Sequence, residues 1–376
     1  IDMNVLMNIY NVHEDYAWPV LCPIIKKTYK VLMIPFSHHE EWVGSPREWE
    51  EEFGKEGRMY DELIAPFLSY GIKEKNIIWL REFEDNRITA REKIASADII
   101  YMPGGYPEKI MRRAEAFGIV EVLRDFKGIF MGSSAGAMVQ MKEYHMTPDD
   151  DYNEFGLYLG LGRIEDFEME VHFRNTYGQR RSMRRYFEER KKKIYAVGDN
   201  GGLLQKEDGT VIPFGDVSLY ENREELENIP VVEGESFYFR DLTEDDKKIL
   251  EEEDEQVPEW IKMIPNEDHR CYTLVKKESG EVCGHITTVP ENYGTLKIII
   301  RFYSNSDERI ITAGNAFFSS VFENTGYHRI ECRMYNDYSI EKEFLEKTGF
   351  DLEGVLEDKI AWEGEYITEY ICSLKK

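Results

Sequence analysis

The chain has 376 residues, 42% hydrophobic and 32% charged, a soluble globular composition long enough to expect more than one hydrophobic core. Its formal net charge of -26 argues against a phosphate-backbone partner, and the short basic runs RRSMRR and ERKKK between 180 and 193 read as a solvated helix face. No apolar run reaches the roughly 18 residues of a membrane span, and the first residues lack the basic flank of a signal peptide. Cys22, Cys271, Cys283, Cys332 and Cys372 are odd in number and form no CxxC pair, so neither a zinc site nor a disulfide framework is indicated. The expectations are a cytoplasmic location, reduced core thiols, and no metal, nucleic-acid or membrane partner; homo-oligomerisation is left open.

Taken in chain order, VLMIPF (31–36), IIW (77–79), ADIIYMP (97–103) and GIFMG (128–132) read as strands. Between them 46–70 and 89–95 have helical composition, and further helices start at Pro107 and after Ser134. This alternation predicts a parallel sheet covered by helices on both faces up to about residue 230. The segment IPVVEGES, 229–236, then combines proline, glycine and acid, which places a break between a first domain, 1–230, and a second, 235–376. The second opens with FYFRDLTEDD, continues as a hairpin over 272–289 and a strand over 296–303, and adds helices at 310–323 and 340–348. Strands around Ile360 and over 366–374 complete a smaller α+β module.

One segment of the first domain carries chemistry. GIFMGSSAGAMVQM, 128–141, is an apolar strand running straight into a turn of small residues, G-S-S-A-G-A from Gly132 to Ala137. Glycines two positions either side of Ser134 relieve the crowding of a sharp strand-to-helix elbow that lifts the serine hydroxyl above the sheet. A serine is a weak nucleophile until a base takes its proton, so this reading requires a histidine and an orienting acid elsewhere. The Ala135 amide would face the oxyanion, and PGGYPEK (103–109) offers Gly104 and Gly105 as a second source of donors.

IYMPGGYPEKIM, GIFMGSSAGAM and GLYLGLGRIEDFEMEVHF resemble the dipeptidase E and cyanophycinase family of serine peptidases, whose fold is related to class I glutamine amidotransferases; the likeness spans roughly 75–215. The resemblance implies a three-layer α/β/α hydrolase, with His172 as general base and Asp199, in AVGDNGGLL, where the family commonly has glutamate. A true glutamine amidotransferase would need cysteine at the elbow and a histidine two residues before a glutamate, whereas this chain has Ser134 and VHF. Members that cleave after N-terminal aspartate carry an arginine-rich run whose spacing HFRNTYGQRRSMRR does not match. His145 reads as structural at the end of the elbow helix, and His38 and His39 as surface residues near the ligand-binding edge of the sheet.

TGYHRIECRMYNDYSIEKEFLEKTGFDLEGVLED, 325–358, resembles the later half of GNAT-type N-acetyltransferases, and FYFRDLTEDD their opening strand and helix. The resemblance implies acetyl-CoA as cofactor, with Asn336 and Ser339 beside its pantetheine arm. Family members hold the pyrophosphate on bare amides of a glycine-rich turn at a helix N-terminus. Here the matching stretch, SNSDERIITAGNAFF over 304–318, has isoleucines and acids instead, which predicts weak or absent acetyl-CoA binding and a degenerate module.

The expected function is serine-dependent hydrolysis of an amide bond, peptide or isopeptide, in a small peptide-like substrate, through an acyl-enzyme on Ser134 and with no cofactor. Two rivals stand beside it: a binding or regulatory protein with decayed sites, and a bifunctional hydrolase and N-acetyltransferase.

Overall fold

The computed structural model describes residues 2–254, 269–303, 307–335 and 339–376. The chain divides into two compact units, one ending at Leu226 and one beginning at Glu227.

The first unit runs β1 (Met3–Met7), α1 (Trp18–Leu21), β2 (Val31–Met33), α2 (Pro46–Phe53), α3 (Tyr60–Ser69), β3 (Ile77–Trp79), α4 (Arg87–Ser96), β4 (Ile99–Met102), α5 (Pro107–Phe117), α6 (Val120–Arg124) and β5 (Ile129–Ser133). It continues with α7 (Ala135–Met138), β6 (Glu143–Met146), β7 (Gly156–Leu159), β8 (Phe167–Glu170), α8 (Tyr177–Arg190), β9 (Lys193–Lys206) and β10 (Val211–Tyr220); α9 (Arg223–Glu227) leads out of it. The sheet order is β10-β9-β1-β5-β4-β2-β3, with β8 also paired to β9. Strands β1, β5, β4, β2 and β3 are mutually parallel, while β9 is antiparallel to β1.

Every residue of β2, β4 and β5 is buried, as expected of parallel strands covered on both faces. Alternate side chains feed two apolar layers: Phe130, Ile100 and Met102 join one, Ile129, Met131, Ile99 and Tyr101 the other. That is the physical content of a three-layer α/β/α domain.

Several expectations change. MNVLM, not among the anticipated strands, is β1 and lies directly beside the elbow strand. Segment 46–70 is two helices, because the chain turns extended at Gly54, where any Cβ would come within 2.6 Å of the Glu50 carbonyl. The elbow helix α7 is one turn long, and the Val139 carbonyl then accepts from Leu161 N at 2.6 Å. His145 therefore sits on β6, not on that helix. The basic run is not wholly solvated, since Arg180 is buried, and Cys22 is exposed rather than in the core.

The second unit contains β11 (Pro230–Glu233), β12 (Phe237–Asp241), α10 (Glu244–Asp254), β13 (Arg270–Lys276), β14 (Val282–Pro290), β15 (Thr295–Phe302), α11 (Ile310–Asn324), β16 (Arg329–Tyr335), α12 (Ser339–Lys347), β17 (Asp351–Trp362) and β18 (Glu365–Lys375). Its sheet runs β11-β12-β13-β14-β15-β16-β18-β17, antiparallel throughout except for β15 and β16. The segment read as a break thus supplies an edge strand, β11. Phe317 and Phe318 of α11 and Phe344 of α12 pack on the sheet with Phe237, Phe239 and Ile298.

Candidate active site

Gly132 and Gly136 are fixed by contact rather than by flexibility. A Cβ on Gly132 would meet Gly136 O at 2.0 Å, and one on Gly136 would meet Met102 O at the same distance, so the elbow closes against itself and against the end of β4. Ser134 is held between them at φ 50, ψ -110, a conformation that costs a non-glycine residue on the order of 1–3 kcal/mol. Its amide donates to Met7 O of β1 at 2.7 Å, which anchors the turn to the neighbouring strand.

Ser134 Oγ lies 2.9 Å from His172 Nε2, and His172 Nδ1 lies 2.6 Å from Asp199 Oδ1. The three residues come from the junction of β5 and α7, the segment after β8 and the middle of β9. His172 also has a positive φ, 49°, and is set there by Gln179 of α8, whose Nε2 donates to the His172 carbonyl at 3.0 Å while its Oε1 accepts from Arg174 N at 2.9 Å. Asp199 occupies an irregularity in β9: Val197 pairs with Val217 and Gly201 with Gly215, so three residues of β9 face the single Asp216. Such a bulge re-aims a side chain. Asn8, buried after β1, pins it by donating to Val197 O at 2.7 Å and Gly198 O at 2.8 Å.

Hydrogen bonding to His172 holds the Asp199 carboxyl below its usual range; partial burial opposes this, and Arg174 Nη2, 3.1 Å from Oδ2, reinforces it. Asn8 and Arg174 were invisible to motif reading, because each acts through a contact that exists only once β1, β8 and β9 have assembled.

Around the elbow, Gly105 sits at φ 139, and a Cβ there would lie 2.5 Å from Ser37 O, so no other residue fits. Ser37 Oγ donates to Gly104 O at 2.5 Å and its carbonyl accepts from Tyr106 N at 2.8 Å. Among the described residues the amides of Gly105 and Ala135 have no protein acceptor. With α7 only four residues long, the Ala135 amide itself, rather than a helix macrodipole, is what this turn presents.

His38 is buried, not superficial: its Nε2 lies 2.8 Å from Glu82, and Arg113 donates to His38 O and Phe36 O, fixing the loop that carries Ser37. His39 packs against Trp42 and Tyr106. His145 is enclosed by Glu170, 2.5 Å from Nε2, and Glu168, 3.5 Å from Nδ1. Burial pushes its imidazole down, but the two carboxylates outweigh this and raise it to about 10.

In the second unit the turn before α11 is filled by its own chain. Asp307 Oδ1 accepts from Arg309 N at 3.0 Å, Asp307 O from Ile310 N at 3.0 Å, and Glu308 O from Ile311 N at 3.2 Å. Lys347 of α12 spans Glu308 at 2.7 Å and Glu343 at 2.8 Å, above a crevice of about 10 Å³. Pairing of β15 with β16 stops at Ile298 and Cys332. Beyond it Phe302 N donates to Glu341 Oε1 at 3.0 Å, and the Phe302 ring packs on Phe344. Asn336 lies outside the described residues, and Ser339 is the first residue of α12.

Residues 67–212, which include Ser134, His172, Asp199, Gly104 and Gly105, match the family model described as Peptidase family S51, and residues 238–371 match the Acetyltransferase (GNAT) domain. Among solved structures, an acetyltransferase of the GNAT family from Bacillus anthracis is similar at 18% identity, over 38% of this chain and 97% of that one, with a TM-score of 0.33. The ribosomal-protein-S5-alanine acetyltransferase of Vibrio fischeri matches at 12% identity over 39% and 96%, TM-score 0.32. A GCN5-related N-acetyltransferase from Brucella melitensis matches at 17% over 40% and 80%, TM-score 0.32. No curated protein sequence matches the chain. The chain is therefore an enzyme with a serine peptidase domain of family S51, the dipeptidase E family, followed by a GNAT acetyltransferase domain.

Proposed function

We propose that the first unit hydrolyses an amide bond, peptide or isopeptide, in a small peptide-like substrate through an acyl-enzyme on Ser134. The observation that carries this is the continuous hydrogen-bond chain from Ser134 Oγ through His172 to Asp199, built on a serine held in a strained elbow.

His172 Nε2 takes the Ser134 proton as Oγ attacks the carbonyl carbon, and the Gly105 and Ala135 amides receive the charge on the carbonyl oxygen. Collapse breaks the C–N bond, and His172 returns its proton to the departing amine. Water then attacks the ester with His172 as base, releasing the acid and restoring Ser134. Asp199 fixes the tautomer by accepting from Nδ1–H and steadies the imidazolium. Beside His172 a cavity of about 450 Å³, bounded by Met138, Thr147, Met169 and Arg174, suits a side chain or a dipeptide end rather than a folded protein.

A fluorophosphonate probe should label the wild-type protein and spare Ser134→Ala, with hydrolysis falling at least roughly 10³-fold. Absence of labelling in both would replace this reading with a non-catalytic binding role. The GNAT match favours a second reading, a bifunctional enzyme. The turn before α11 speaks against acetyl-CoA, because its first amides are spent within the turn and two carboxylates, Asp307 and Glu308, stand where a pyrophosphate would need donors. We assign the second unit a fold without acetyl transfer.

A further inference from the structure

We propose that Tyr10 is a third hydrogen-bond donor to the reacting carbonyl, a catalytic role that rests on the acyl-enzyme reading of Ser134. Tyr10 follows β1, the strand between β5, which leads into Ser134, and β9, which carries Asp199. Its position comes from Gly104: a methyl group built there would lie 3.3 Å from Ser134 Cβ and 3.4 Å from Tyr10 Oη. Phenol and the Cβ of the nucleophile thus border the same carbon-sized gap.

Three neighbouring hydroxyls are committed. Tyr101 Oη and Ser133 Oγ bond each other at 2.8 Å, Ser133 Oγ donates to Ile9 O at 3.0 Å, and Tyr70 Oη donates to Val12 O at 2.5 Å. Tyr10 differs. Its ring packs against the apolar layer that contains Met7 and Tyr101, and the Gly104 backbone faces its oxygen, yet among the described residues no acceptor takes its proton. Burial raises the phenol above its ordinary range, against the smaller lowering effect of a Gly104 backbone hydrogen bond, so the proton stays on the oxygen at neutral pH. A half-buried O–H without a protein acceptor, separated from the nucleophile's Cβ by the gap at Gly104, is matched by a substrate oxygen that gains charge on attack. Tyr10 donates without transferring its proton: the phenol stays neutral while the C–O bond to Ser134 forms and the carbonyl oxygen becomes anionic.

The test is Tyr10→Phe, which keeps the ring and its packing. Removal of one such donor should lower kcat by roughly 10²-fold with KM within about threefold, and weaken a short peptide aldehyde, which forms a tetrahedral adduct on Ser134, by a similar factor. The thermal unfolding midpoint should stay within a few degrees of wild type, separating a donor from a packing residue. Unchanged kcat and aldehyde affinity would overturn the proposal, as would a rise in KM alone. A wild-type protein that forms no adduct with either the aldehyde or the fluorophosphonate would overturn the hydrolase reading itself, and the role of Tyr10 with it.

Discussion

Each unit contains a parallel-paired strand that runs into a helix, and the two junctions are built to opposite ends. Between β5 and α7 the glycines at 132 and 136 let backbone touch backbone, Ser134 is forced to a positive φ, and the Ala135 amide is left without a partner. Between β15 and α11 the described residues next to the helix are Asp307, Glu308 and Arg309, α11 opens on two isoleucines, and the amides of Arg309, Ile310 and Ile311 find acceptors on Asp307 and Glu308. One junction stores strain and exposes donors; in the other the amides of 309–311 are spent on Asp307 and Glu308. A strand-to-helix junction becomes a site only where its amides are left unspent, and residue size decides that: Gly and Ala admit a ligand where Asp and Ile satisfy or cover the backbone.

The sharpest way to break this contrast is at the far end of the Ser134 chain. Asp199→Asn should lower kcat by roughly 10²–10⁴-fold, because an amide offers His172 Nδ1 either donor or acceptor and no longer fixes the tautomer. Stopped assays on the substrate that best acylates Ser134 would measure it. Retention of more than a tenth of wild-type kcat would mean that the bulge in β9 has no catalytic purpose and the first junction is merely strained.

The second junction gives the next largest effect. Isothermal titration of the whole chain with acetyl-CoA should show no saturation at about 1 mM, where a functional glycine-rich turn would bind far more tightly. Saturation in the micromolar range would show that Lys347 releases Glu308 and Glu343, and that the crevice between α11 and α12 opens.

These junctions also mark how far the sequence could be read. The elbow was legible because its glycines, its central serine and the apolar GIFMG strand are contiguous, and steric needs at i±2 leave a local signature. The isoleucines at 310 and 311, where the family resemblance calls for glycines, were legible for the same reason. Asn8, Tyr10 and Arg174 were not, since each matters through a partner far along the chain: Asn8 through carbonyls at 197 and 198, Tyr10 through Gly104 and Arg174 through Asp199. The bulge that aims Asp199 depends on register between β9 and β10, a property of neither strand alone. His145 was misplaced for a further reason: helical composition after Ser134 said nothing about where Leu161 would end the helix.

The smallest expected effects set the buried histidines of the two units against each other. His145 is held up to about 10 by Glu168 and Glu170, so the folded first unit keeps a proton that the unfolded chain releases near 6.5. Its contribution is fully present below pH 6.5 and is lost as pH rises through about 10. His285 is the converse: burial, then the charge of Arg301, lower it to about 3, and Tyr303 Oη lies 2.8 Å from its Nδ1. The unfolded chain binds a proton below 6.5 that the folded second unit refuses. Stability from His285 is therefore complete above pH 6.5 and falls toward pH 3 by at most about 1.4 kcal/mol per pH unit. Hydrogen exchange in β14 and β15, followed from pH 7 to pH 4, should show protection declining in step. His285→Gln, which cannot take up the proton, should flatten that decline while β5 and β9 of the first unit respond as before. An equal decline in the variant would assign the acid sensitivity to other groups of the second unit.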